Sequence, residues 1–155
     1  MNPVRSLIAV HVRRLEKAEQ RLAEARALLK QRIEEERHHE TALMAHRLSA
    51  VEKEREIYGK LFMQVVKRDA LELAKEEVMA LKRMEISLEE ALTHASRATA
   101  DATTEADAAH NAYLRQATRT EKYREIDRHF AELAHIALER KEENEMEEIT
   151  AGVRS

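Results

Sequence analysis

The sequence predicts an all-α fold: two long helices folded back on each other as an antiparallel coiled-coil hairpin. Three observations carry this. The first is composition, with 37% charged residues, 3% aromatics, two Gly, one Pro and no Trp in 155 residues. A chain rich in Ala, Glu, Lys, Leu and Arg with so few turn formers reads as long helices with a narrow apolar seam. The second is a heptad stripe between Asp69 and Phe130. Steps of three and four from Leu71 give Leu71, Ala74, Val78, Leu81, Glu85, Leu88, Leu92, Ala95, Thr99, Ala102, Ala106, Ala109, Tyr113, Gln116, Thr120, Tyr123, Asp127 and Phe130. Thirteen of these eighteen are apolar, where the chain-wide 43% would place about eight. A straight helix drifts ~20° per heptad against such a repeat, so a partner helix must follow it. The third is a restart signal, Asp69-Ala70-Leu71-Glu72, which reads as a capping box.

Taken in order, Pro3 suits a first helical turn, with Asn2 as its N-cap. Helix 1, expected over about residues 3–63, carries Ile8, Val12, Leu15, Ala18, Leu22, Ala25 and Leu29 on one stripe. The same register then meets Arg32, Glu36 and His39, where the seam is expected to fail. Apolar residues return as neighbouring rows, Leu43/Ala50/Ile57 and Met44/Val51/Tyr58, an offset that a register slip would leave. Gly59 and the knot Lys60-Leu61-Phe62-Met63-Gln64-Val65-Val66 precede Asp69, so the reversal is expected between about 59 and 69. Helix 2 follows over about 69–148, with a frayed acidic tail, and the whole chain 1–155 reads as a single hairpin domain. A short connection makes the helices antiparallel, so facing residues should have numbers summing to about 133. That sets the Ala-rich stretch Ala91–Ala112 against the charged stretch Arg21–Ala42, where long side-chain stems cover small residues. It also brings residues 1–30, with seven Lys/Arg against three Glu, towards the acidic run Glu139–Glu148.

Several function classes find no support. A net charge of −3 is not that of a nucleic-acid-binding domain, and Glu16, Glu19 and Glu24 interleave the basic N-terminal stretch. No cysteine means no disulfide or thiolate chemistry and fits a reducing compartment. No apolar run approaches the ~20 residues a bilayer span requires, and the segment from Val4 to Val12 reads as the start of a helix, not a signal peptide. Eight histidines invite a metal, but His38/His39, His39/His46 and His129/His135 lack the i,i+3 or i,i+4 spacing of a helical chelate. Solvated or seam-lining histidines are the plainer reading. Carboxylates abound, yet a two-helix fold offers no enclosed pocket to tune them, so no enzyme and no cofactor is expected. Two clusters remain. Arg5, Arg13, Arg14, Lys17 and Arg21 form either a solvated face or a docking surface for an acidic partner. Tyr58, Leu61, Phe62 and Val65 either close the hairpin end or present an interface there.

The opening Val12-Arg13-Arg14-Leu15-Glu16-Lys17-Ala18-Glu19 resembles the start of the YscO/SctO family, small stalk proteins of type III secretion related to the flagellar export protein FliJ. The chain length, the knot Lys60-Leu61-Phe62 before a Lys-Arg-Asp restart, and Glu121-Lys122-Tyr123-Arg124-Glu125 ahead of an acidic tail agree with it. The resemblance implies a non-catalytic central stalk in the cytoplasm, peripheral to the secretion apparatus at the inner membrane. The paired termini would enter the hexameric secretion ATPase through Arg13, Arg14, Lys17, Lys122, Tyr123 and Arg124. The hairpin end would reach the cytoplasmic domain of the export gate membrane protein through Tyr58, Leu61, Phe62 and Val65. Contact with secretion chaperones is implied from some family members. Gly59, between the two aromatics, departs from the family pattern and is a residue at which a helix can break; whether helix 1 breaks there is left open by the sequence. The alternative is a generic coiled-coil scaffold or dimerisation protein that uses the same seam.

Overall fold

The computed structural model describes residues 3–62 and 67–154. All of them except Lys67 are helical, in α1 (Pro3–Phe62) and α2 (Arg68–Arg154). Asn2, the expected N-cap, lies outside the described residues. The chain divides into two units, one formed by Met1–Ala23 with Ala108–Ser155 and the other by Glu24–Asp107. Each pairs a segment of α1 with a segment of α2.

In the unit Glu24–Asp107 the two segments form a helical hairpin. His46 Nε2 donates to the Leu81 carbonyl at 3.0 Å, and Thr99 Oγ1 donates to the Arg32 carbonyl at 3.2 Å. Rising numbers on α1 meet falling numbers on α2, which defines an antiparallel pair. The seam is filled by Ala25, Leu29, Arg32, Glu36, His39, Leu43, His46, Ala50 and Ile57 from α1, all buried or half-buried. From α2 it takes every stripe position from Ala74 to Ala106. The expected seam failure and register slip are therefore not observed. Glu36 lies one heptad after Leu29 and Leu43 one heptad after Glu36, so one register runs through the charged stretch. Of the second row, Met44 and Val51 face solvent and Tyr58 is half-buried. Long polar side chains at Arg32 and Glu36 are tolerated at half-buried positions because their stems are apolar and their charged ends can reach water.

Gly59 lies inside α1 and does not end it. One interior glycine costs about 1 kcal/mol relative to alanine, which a 60-residue helix absorbs. α2 begins one residue earlier than the capping-box reading placed it. The Lys67 carbonyl accepts from the amides of Ala70 at 3.1 Å and Leu71 at 3.3 Å, making Lys67 the N-cap. Asp69 sits in the first turn, where its charge complements the helix dipole, and Glu72 pairs with Arg68 at 3.6 Å. At its other end α2 continues through the acidic tail to Arg154 instead of ending near Glu148. The Glu-rich run consists of good helix formers, so nothing in it stops the helix.

The unit Met1–Ala23 with Ala108–Ser155 is also an antiparallel pair. Arg5 meets Asp127 at 3.9 Å, and His11 meets Gln116, Thr120 and Tyr123. Its seam joins Ile8, His11, Val12, Leu15, Ala18 and Leu22 to Ala109, Tyr113, Gln116, Thr120, Tyr123 and Asp127. The acidic run Glu139–Glu148 is exposed.

Candidate functional site

The chain offers surfaces, and these are best built from the seam outward. In the unit that holds both termini, the stripe turns polar at Gln116, Thr120 and Asp127. Gln116 Nε2 donates to His11 Nδ1 at 3.0 Å and to the His11 carbonyl at 3.3 Å. Thr120 Oγ1 lies 2.8 Å from the Gln116 carbonyl and 3.4 Å from that of His11, and is the most deeply buried side chain described, at 1% exposure. The Tyr123 ring stacks on the His11 imidazole with centroids 4.4 Å apart and planes 19° apart. Four polar or amphipathic side chains, His11, Gln116, Thr120 and Tyr123, thus meet in one stretch of this seam.

The six residues expected to meet an ATPase all fall in this unit. Arg13, Arg14 and Lys17 are exposed on α1, and Lys122 and Arg124 are exposed on α2. Tyr123, between them, is half-buried and engaged with His11. Arg124 is 3.9 Å from Glu121, whose carboxylate also receives Arg128 at 2.8 Å. Arg124 is thus partly neutralised by Glu121. Beyond the paired region, Phe130 and Leu133 stand about half exposed on α2.

The residues expected to meet an export gate fall in the other unit. Tyr58 and Leu61 are half-buried and Phe62 is 90% exposed; Val65 lies outside the described residues. Beside them is an open groove of about 420 Å³, lined by the apolar Ile57, Leu61, Leu73, Ala74 and Leu81 together with the charged Lys53, Glu56, Lys60 and Glu77. Sequence reasoning missed this groove and Leu73, which is 63% exposed. The available signal was Leu73 itself, an apolar residue standing off the stripe two positions after Leu71.

Two charge clusters have an electrostatic signature. Arg47 donates through Nε to Glu85 at 3.0 Å and through Nη2 to Glu89 at 2.9 Å, which holds its guanidinium above its usual range, Glu85 contributing most. Glu35 is held below the usual carboxylate range, first by its hydrogen bond from Arg32 and then by Gln31 and the charges of Arg32 and His39. The Arg47 cluster ties α1 to α2 at the edge of the seam, and the Glu35 cluster lies within α1. Among the described residues no helix is long and apolar enough to cross a membrane.

Helical pairs of this kind are common, so family membership rests on comparison of the whole sequence. A family model described as type III secretion protein YscO matches residues 4–152. The chain belongs to the YscO family of type III secretion proteins. No curated protein and no solved structure matches it. The match takes in α1 and nearly all of α2, so both units and both surfaces described above are part of the YscO-type sequence. Membership assigns the chain a role in type III secretion and an association with that apparatus.

Proposed function

We propose that this YscO family member is a non-catalytic stalk that couples the secretion ATPase ring to the export gate on the cytoplasmic side of the inner membrane. The observation that carries the proposal is the chemical contrast between two surfaces in a chain of this family. One unit presents Arg13, Arg14 and Lys17 with Lys122 and Arg124, a cationic surface suited to acidic groups of an ATPase. Tyr123, held by His11, fixes the stretch of α2 that bears Lys122 and Arg124. The other unit presents Phe62 with Tyr58 and Leu61 beside a groove of mixed apolar and charged lining, a surface suited to an apolar patch on the gate protein. Val65 belongs to the same proposed contact, and the groove is also where a chaperone would be received.

A stalk needs no catalytic group of its own, because the work comes from ATP hydrolysed by its partner. The test is ATPase stimulation. Purified protein should raise the turnover of the cognate secretion ATPase, and the variant Arg13→Glu/Arg14→Glu/Lys17→Glu should lose that effect while keeping its helical circular dichroism. Unchanged stimulation by the reversed variant at low salt would remove this cluster from the contact.

A further inference from the structure

The hydrogen bonds around His11 do something the apolar stripe cannot. A heptad repeat is periodic, so sliding one helix along the other by seven residues restores the same pattern of faces. In this unit the slid arrangement still has apolar groups to use. Counting seven residues along α2, Phe130 takes the place of Tyr123 and Asp127 that of Thr120. Phe130 is half exposed as it stands, and Ala134 and Ala137, next along the stripe, are exposed too. Sliding in that direction covers apolar surface. Burial alone therefore does not select the observed register.

We propose that His11, Gln116 and Thr120 form a register lock for the unit that holds the termini. The lock acts through the His11 carbonyl, which faces the Gln116 amide at 3.3 Å and the Thr120 hydroxyl at 3.4 Å, and through His11 Nδ1, which accepts from Gln116 at 3.0 Å. His11 and Thr120 are both buried, so a partner lost here is not replaced by bulk water. Slid seven residues one way, the Asp127 carboxylate and the Tyr123 ring take the places of Thr120 and Gln116, and an acceptor meets the His11 carbonyl. Slid the other way, Tyr113 and Ala109 take those places, and Ala109 has nothing to donate. The lock adds little to stability, since each bond only replaces one to water. It acts by making both neighbouring registers costly, as a single polar residue does in a coiled-coil core.

The chain has no cysteine, so engineered pairs are its only thiols. Arg5→Cys with Asp127→Cys reports the observed register, in which those side chains approach to 3.9 Å. Arg5→Cys with Ala134→Cys reports the register slid by one heptad. Each pair is placed in the full chain with the native seam and with Gln116→Leu/Thr120→Val, and treated with a short bismaleimide. The native seam should favour the first pair by about tenfold or more, a ratio that one or two net hydrogen bonds supply. The apolar seam should bring the two pairs to within about threefold, because what remains is the near-degenerate apolar pattern. His11→Leu, scored the same way, replaces the double variant if that chain loses its helical signal. Cross-linking confined to the first pair in every seam overturns the lock, and so does efficient linking of the second pair in the native seam.

Discussion

Leu43 and Met44 are neighbours in sequence with opposite environments, 4% and 66% exposed. The Leu43 side chain fills the seam between His39 and His46, and Met44 faces water. Leu43→Ala should cost about 2 kcal/mol or more, because both transfer energy and a cavity are lost. Met44→Ala should change stability by less than ~0.5 kcal/mol. Urea unfolding of the two variants checks this, and equal effects would mean that α1 carries the second row in its seam after all. Glu35 supplies a pH test. Its folded carboxyl titrates below the ordinary value of 4.5, so its contribution is present above that pH and is lost as pH falls through the lowered value. Glu35→Gln should therefore be slightly less stable than the native chain at pH 7, and the gap should close as the pH falls through the lowered value. The effect is small because the group is exposed.

At the scale of the helix, Gly59 is the clearest lever. A Cβ built there meets nothing within 4 Å, and no glycine among the described residues has a positive φ. Gly59→Ala should therefore stabilise the chain by up to about 1 kcal/mol, seen as a higher urea midpoint. A loss of stability would mean that α1 is interrupted there. Exchange of amide protons probes the helices along their length. The seam around residues 30–40 and 95–106 rests on alanines and on charged stems, so its amides should exchange faster than those near Leu22 or Val78. Uniform protection would contradict that. The helices were legible because a seam of fixed spacing leaves a repeat in the sequence. From Ala74 to Asp127, every residue of the expected stripe is buried or half-buried. Their ends were harder to read. No Gly, Pro, Asn or Asp stands between Phe62 and Lys67, so α2 starts at a backbone cap that no side chain announces. The slip expected near Glu36 failed because a polar residue in the stripe was taken as the end of the register. The His11 cluster stayed hidden for a related reason. Gln116 and Thr120 were visible as polar stripe positions, but their partner lies on the other helix, and only the pairing register identifies it.

For the whole molecule, the seams in both units are filled by the chain's own helices, so the purified protein should be a monomer of 18.0 kDa by light scattering. A stable dimer would favour the scaffold reading, in which the same stripe pairs two chains. The central claim is that two unlike surfaces serve two partners. The most direct measurement is binding of one set of variants to both: the cognate secretion ATPase and the cytoplasmic domain of the export gate protein, at low and high salt. Arg13→Glu/Arg14→Glu/Lys17→Glu should weaken the ATPase contact in a salt-dependent way and spare the gate contact. Phe62→Ala should do the reverse, weakening the gate contact with little dependence on salt. Loss of both contacts in either variant, or of neither in both, would contradict the account.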